Sequence, residues 1–226
     1  METVTPDQIA ERIWLSIAER RLRPGTRLKE ADLAEVFAVS RARVRQALAL
    51  LEREGLVTSE ANKGSFVSEP DAEDARDVFH MRRALEQRIL DRLVGRLDER
   101  SIARLRAHVA QERAAEARND RRAVIRLSGG FHLMLAEMSG AGFLAGLMRD
   151  LIGRSSLITA AFRESDRFNC GPDEHEEIVD LLDEGDIEGA RLAMVHHLDH
   201  VESELNLSDG RGGVTNLRAA LLPELG

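Results

Sequence analysis

Between Ser40 and Gly55 the chain reads SRARVRQALALLEREG, and that stretch admits one regular structure. Val44, Leu48 and Leu51 recur at steps of four and three, so they line one side of an α-helix but fall on both faces of any strand. Ser40 stands where an N-cap accepts an orphan backbone N–H, and Gly55 where a left-handed residue closes a helix. The helix is predicted from Arg41 to about Glu54. Its first turns carry Arg41, Arg43 and Arg45, and no acid occurs between Phe37 and Leu51. Positive charge at a helix N-terminus opposes the macrodipole, at a cost of roughly a few tenths of a kcal/mol or more. In an ordinary solvated helix start that cost is uncompensated, whereas a phosphate backbone against the helix end turns it into attraction. Arg41 and Arg45 are four apart and share a face, while Arg43 projects about 100° away.

The flanking sequence supplies a context for that helix. TPDQ at 5–8 has Thr5 as N-cap, Pro6 at the first helical position and Gln8 completing a capping box. A helix follows to about residue 21, with Ile9, Ile13, Trp14, Ile17 and Ala18 on its packing face. RPGT turns the chain, and a short helix over Glu30–Phe37 places Leu33, Ala34 and Phe37 inward. Beyond Gly55, the β-capable runs LVT and SFV flank the turn residues EANKG and read as a hairpin. Three helices and then a hairpin is the order of a winged helix-turn-helix. In that architecture the third helix enters the major groove by its N-terminal end, where arginine reads guanine edges and Ser40 meets phosphate. Asn62, Lys63 and Gly64 form a wing tip able to approach the DNA backbone or minor groove.

PGTRLKEADLAEVFAVSRARVRQALALLEREGLV with its KGSFV hairpin resembles the DNA-binding domain of GntR-family bacterial transcription regulators over about 65 residues. The resemblance implies that Arg41 and Arg45 are base-reading and phosphate-contacting arginines, with Lys63 and Gly64 on the wing. Arg43 stands where many relatives carry proline or a small residue.

The formal charge of −8 at first argues against a nucleic-acid partner, but the two parts of the chain differ. Residues 1–68 hold 11 basic and 10 acidic residues, leaving +1, and the remainder carries −9. Any basic surface is therefore small and focused. With 43% hydrophobic residues, 4% aromatic and no tyrosine, the composition fits a mostly α-helical protein of two domains. No run of about 20 uncharged apolar residues occurs, the N-terminus lacks a signal pattern, and Cys170 is the only cysteine. A cytoplasmic protein without membrane contact is expected.

SEPDAED at 68–74 reads as a linker, giving a DNA-binding domain over 1–68, a linker over 69–74 and a helical domain over 75–207. From Val78 the apolar positions Met81, Leu85, Ile89, Leu93 and Leu97 predict a long helix. Further helical patterns fall at roughly 99–118, 121–138, 141–165, 173–184 and 186–206, a bundle of six. His132 adjoins a core stripe, His175 lies at a helix start, and His197 belongs to the stripe Ala190, Met194, Val201. Inward imidazoles on separate helices either find hydrogen-bond partners in a core or converge on a metal. His196 and His200, four apart on a neighbouring face, form a rival pair expected at the surface.

MRRALEQRILDRLV, FHLMLAEMSG, DEHEEIVDLLDEGD and ARLAMVHHLDHV together resemble the FCD effector domain of FadR-type GntR regulators, in its six-helix VanR-like variety. The resemblance implies a divalent metal held by His132, His175 and His197 at the floor of an effector pocket. The family's aspartate is Ser128 here, so water or an effector carboxylate would complete the shell. Zinc is the first expectation and nickel the second, because histidine sites without thiolate discriminate poorly. Arg82 matches a pocket-facing position, where it would pair with a carboxylate ligand; the other reading is an ion pair with Glu86 on a wet face. Arg154 is a further candidate for the pocket wall. The tail 208–226 departs from the family pattern and reads as flexible, with a short helix at 217–222. A homodimeric repressor responding to a small organic acid is expected. The rival is a metal-dependent enzyme with Glu174, Glu176 or Glu177 as base, although no HExxH spacing and no nucleophile motif is present.

Overall fold

The computed structural model describes residues 4–163 and 171–207. The described residues divide into two compact units, one of residues 4–72 and 153–162, the other of 73–152, 163 and 171–207.

In the first unit α1 (Pro6–Ala18), α2 (Glu30–Phe37) and α3 (Arg41–Arg53) pack with α3 against both others. The capping box at Thr5 and Gln8 is formed in both directions. α1 closes at Ala18 rather than near residue 21, because Arg20 turns left-handed at φ 55° and Leu22 N–H reaches back to the Ser16 carbonyl. Leu22 thereby joins Ile9, Ile13, Ile17, Leu33, Val44 and Leu51 in a core with no exposed surface. α2 ends with Ala38 at φ 52°, and Gly55 at φ +74° follows α3 as expected. The hairpin is β2 (Val57–Glu60) and β3 (Gly64–Val67). One element was not predicted: β1 (Arg27–Leu28) pairs antiparallel with β3, making a sheet of order β1-β3-β2. This is a winged helix-turn-helix. Leu51→Ala removes a fully buried side chain from α3 and is expected to destabilise the unit by about 2–5 kcal/mol, measured by urea unfolding.

The second unit is helical: α4 (Ala72–Leu93), α5 (Glu99–Ala117), α6 (Arg121–Met138), α7 (Gly142–Phe162, whose last ten residues group with the first unit), α8 (Pro172–Asp183) and α9 (Ile187–Ser203). α4 begins at Ala72, so only 69–71 of the expected linker lie outside a helix. Asp98, Asp120 and Asp186 cap α5, α6 and α9, each accepting a backbone N–H three residues on. α5 packs on α6 and α8, and α8 packs on α9. Arg106 fastens α5 to Asp180 and Asp183 of α8 at 2.5 and 2.9 Å, and Arg113 does the same to Asp173 at 2.6 Å and to Glu176. These exposed pairs each contribute little energy, but together they fix the register of α8 on α5. The tail helix expected at 217–222, like Cys170, lies outside the described residues.

Candidate functional site

Ser40 caps α3, its Oγ accepting the Arg43 N–H at 3.4 Å. Arg41 and Arg45 are exposed and Arg43 is half-buried, so the three arginines divide as the helical spacing predicts. No acid stands in the first turn of α3; Arg45 Nε instead meets Glu30 of α2 at 3.0 Å. With side chains 66% and 36% exposed, that pair contributes at most about 1 kcal/mol and is easily exchanged for phosphate. At the wing, Asn62 and Gly64 take φ of 63° and +99°, and Lys63 Nζ lies 2.6 Å from Glu60. Arg27 Nη2 donates to the Lys63 carbonyl at 2.6 Å, so the unpredicted strand β1 also secures the wing tip.

The second centre is buried. His132 on α6, His175 on α8 and His197 on α9 are 2%, 0% and 1% exposed, and one ligand atom from each lies within 4.8 Å of the others. Each Nδ1 donates to a different glutamate: His132 to Glu86 at 2.5 Å, His175 to Glu112 at 2.7 Å, His197 to Glu174 at 2.7 Å. An ionised carboxylate can only accept, so each Nδ1 carries a proton and each Nε2 is left for another partner. Nε2 of His175 is buried with no hydrogen-bond partner. The Phe131 ring stacks on His175 at 4.1 Å and holds that imidazole in plane.

Burial sets the protonation states. It pushes the His132 pKa well below its ordinary value despite the Glu86 carboxylate, with Arg82 adding to the depression. His197 is lowered to about 4, by burial first and by nearby His175 and Arg82, against the pull of Glu174. Burial would raise the glutamates, but His132 and Arg82 hold Glu86 low. His108 and His175 bring Glu112 to about 2, and His197 and His200 do the same for Glu174. His132 and His197 are therefore neutral imidazoles, and all three histidines are backed by carboxylates. Glu86 and Glu112 are buried and Glu174 is partly buried; Arg82 pairs with Glu86, and against the effect of burial Glu112 raises the pKa of the neighbouring His108.

These shifts carry a sign. Neutral His132 and His197 in the fold must compete with protonation in the unfolded chain near pH 6.5, so their contribution is intact above that pH and is lost as pH falls toward the folded values. Metal-free protein is expected to lose up to about 1.4 kcal/mol per pH unit per histidine below pH 6, followed by thermal melts from pH 7 to 4.5.

The remaining sequence-predicted residues fall as follows. Arg82 is buried and pairs with Glu86 at 2.9 Å, so the predicted i,i+4 ion pair exists, but inside the unit beside His132 rather than on a wet face. Ser128 is half-buried one turn before His132 on α6. Arg154 groups with the first unit, where its guanidinium lies against Gly55. His196 is exposed, whereas His200 is half-buried and shares Glu174 with His197, at 2.6 Å from Oε1.

Residues 5–67 match the bacterial regulatory proteins of the gntR family, and residues 77–200 match the FCD domain. The chain belongs to the GntR family. This GntR regulator is 33% identical to an HTH-type transcriptional regulator from an unstable DNA locus of Streptomyces ambofaciens, over 81% of this chain and 78% of that one. It is 24% identical to the HTH-type transcriptional repressor RspR of Escherichia coli, over 80% of each. A GntR transcriptional regulator from Rhodococcus sp. RHA1 has the same fold, with a TM-score of 0.77 at 28% identity over 88% of this chain and 95% of that one. As a member of this family the protein is a DNA-binding transcriptional regulator, not an enzyme. Its GntR segment contains Ser40 through Gly64, and its FCD segment contains all three histidines together with Arg82, Glu86, Glu112 and Glu174. Among the described residues no helix is long and apolar enough to cross a membrane.

Proposed function

We propose that this GntR regulator acts as a homodimer that presents two winged helices to a palindromic operator, and that a small carboxylate-bearing metabolite bound beside a divalent metal in the FCD domain controls that contact. Residues 1–68 would be the DNA-binding domain, 69–74 the linker, and 75–207 the effector-binding and dimerising domain. Arg41 and Arg45 take the base-reading and backbone contacts in the major groove, Ser40 and Arg43 meet phosphate, and Lys63 and Gly64 bring the wing to the DNA. The relative RspR is named a repressor, and we read this chain in the same sense.

The observation that carries the effector half is the convergence of His132, His175 and His197 within 4.8 Å in a buried site. The donor set fits a metal: three inward imidazoles, each backed through Nδ1 by a glutamate, with the Nε2 of His175 buried and without a hydrogen-bond partner. His132, His175 and His197 would hold the ion, zinc first and nickel second, and the bound ion would supply a Lewis-acidic position for an anionic ligand. With Ser128 in place of a carboxylate, the three neutral ligands leave that position to water or to the effector. Arg82 adds positive charge to the same wall, suited to a carboxylate.

Native mass spectrometry of the protein as isolated tests this reading. A dimer carrying one divalent ion per chain is the expected species. A monomer, or a dimer that stays metal-free after incubation with zinc and with nickel, contradicts it.

A further inference from the structure

Two of the glutamates that hold the three histidines are themselves held. Glu86 receives Arg82 at 2.9 Å through Oε1 while its Oε2 takes His132. Glu174 splits its two oxygens between His197 and His200. Glu112 takes His175 through Oε2, but its Oε1, 3.3 Å from His108 Nε2, has no hydrogen-bond partner, because the His108 ring nitrogen pairs with the Leu127 carbonyl of α6 at 2.7 Å. The pattern of an inward imidazole, a carboxylate and an outer nitrogen donor therefore occurs twice.

Each glutamate–imidazole bond also joins two helices: α4 to α6 through Glu86 and His132, α5 to α8 through Glu112 and His175, and α8 to α9 through Glu174 and His197. A carboxylate with one oxygen on an imidazole and the other anchored cannot rotate without breaking a bond, so at Glu86 and Glu174 the outer group fixes the direction of the imidazole. The two outer groups differ in access. The Arg82 side chain is 6% exposed, whereas His200 is 32% exposed and Glu174 is 19% exposed.

We propose that Arg82 and His200 form an outer layer of positioning residues that act on the histidine centre through Glu86 and Glu174, with His200 as its accessible end. This inference rests on the metal reading above and adds to it a mechanism by which a change at the protein surface alters metal affinity. Losing an anchor lets its glutamate swing, the imidazole follows, and the ligand geometry loosens before any ligand is removed.

The test uses the full-length protein loaded with cobalt(II), whose visible spectrum reports ligand geometry and whose affinity is read by chelator competition. Glu174→Gln keeps the shape of the side chain but removes its charge, and is expected to weaken cobalt binding about 10- to 100-fold. His200→Ala, at a half-exposed position that tolerates truncation, is expected to weaken it about tenfold and to change the visible bands. His200→Gln retains an N–H donor and is expected to restore most of the affinity and the wild-type spectrum. A merely structural role would lower the melting temperature of metal-free His200→Ala and leave its cobalt affinity and spectrum unchanged, and that outcome overturns the proposal. Wild-type protein that takes up no cobalt overturns the metal reading itself. Wild-type protein that binds cobalt, with Glu174→Gln and His200→Ala indistinguishable from it, overturns the outer layer alone.

Discussion

Arg45→Ala is expected to reduce operator affinity by about 2–6 kcal/mol per dimer, roughly 30-fold to more than 10⁴-fold, because a bidentate base contact contributes about 1–3 kcal/mol and a dimer makes it twice. Its effect on the fold should be small. The side chain is two-thirds exposed and pairs with Glu30 at the surface, and removing a cation from the start of α3 relieves a conflict with the helix dipole. Arg41→Ala, on the same face, should behave alike. Arg43→Ala, whose side chain is half-buried and points elsewhere, should weaken binding evenly across sequences and lower the salt dependence by about one counterion per contact. Fluorescence anisotropy with operator and scrambled duplexes at two salt concentrations separates the two kinds of arginine. Wild-type operator affinity in Arg45→Ala would remove α3 from the reading edge.

His175→Gln is expected to abolish metal retention. Structural metal sites contribute about 10–16 kcal/mol in total, so losing one of three or four ligands weakens binding on the order of 10²- to 10³-fold. Glutamine is the appropriate replacement because it keeps an N–H for Glu112; alanine would leave that carboxylate buried without its 2.7 Å donor and would also expose the face of Phe131. Metal at about 100 times its dissociation constant should stabilise wild-type protein by about 2.7 kcal/mol, and the variant by almost nothing. Equal metal-dependent shifts in melting temperature for the two proteins would exclude His175 from the ligand set.

How legible these sites were in the sequence depends on how local their causes are. α3 could be read because its cap, stripe and stop lie within sixteen residues, and six helices could be counted because glycines and Pro172 punctuate their apolar patterns. β1 could not, since two residues carry no periodicity and Arg27–Leu28 exists only because β3 lies beside it. The histidines stood out as inward-facing polar residues, but their partners did not. Glu86 is 46 positions from His132, and Glu112 is 63 from His175. On helices rich in charge, such glutamates look like part of a solvated face. Glu174 was visible only as a neighbour of His175, while its bonds run to His197 and His200 on another helix. Arg82 and Glu86 were legible as an i,i+4 pair, yet their burial follows from packing that no single helix encodes.

If the FCD histidine centre governs how the winged helices hold DNA, operator affinity must respond to what that centre binds. The operator affinity of metal-loaded protein is to be titrated with a panel of small mono- and dicarboxylates, beside the same titration of His175→Gln. Metal-loaded wild-type protein should bind operator tightly and lose at least about tenfold in affinity with one class of carboxylate, a coupling of about 1.4 kcal/mol, while His175→Gln does not respond. Operator affinity that stays the same with every carboxylate, with metal loaded or stripped, would contradict that coupling.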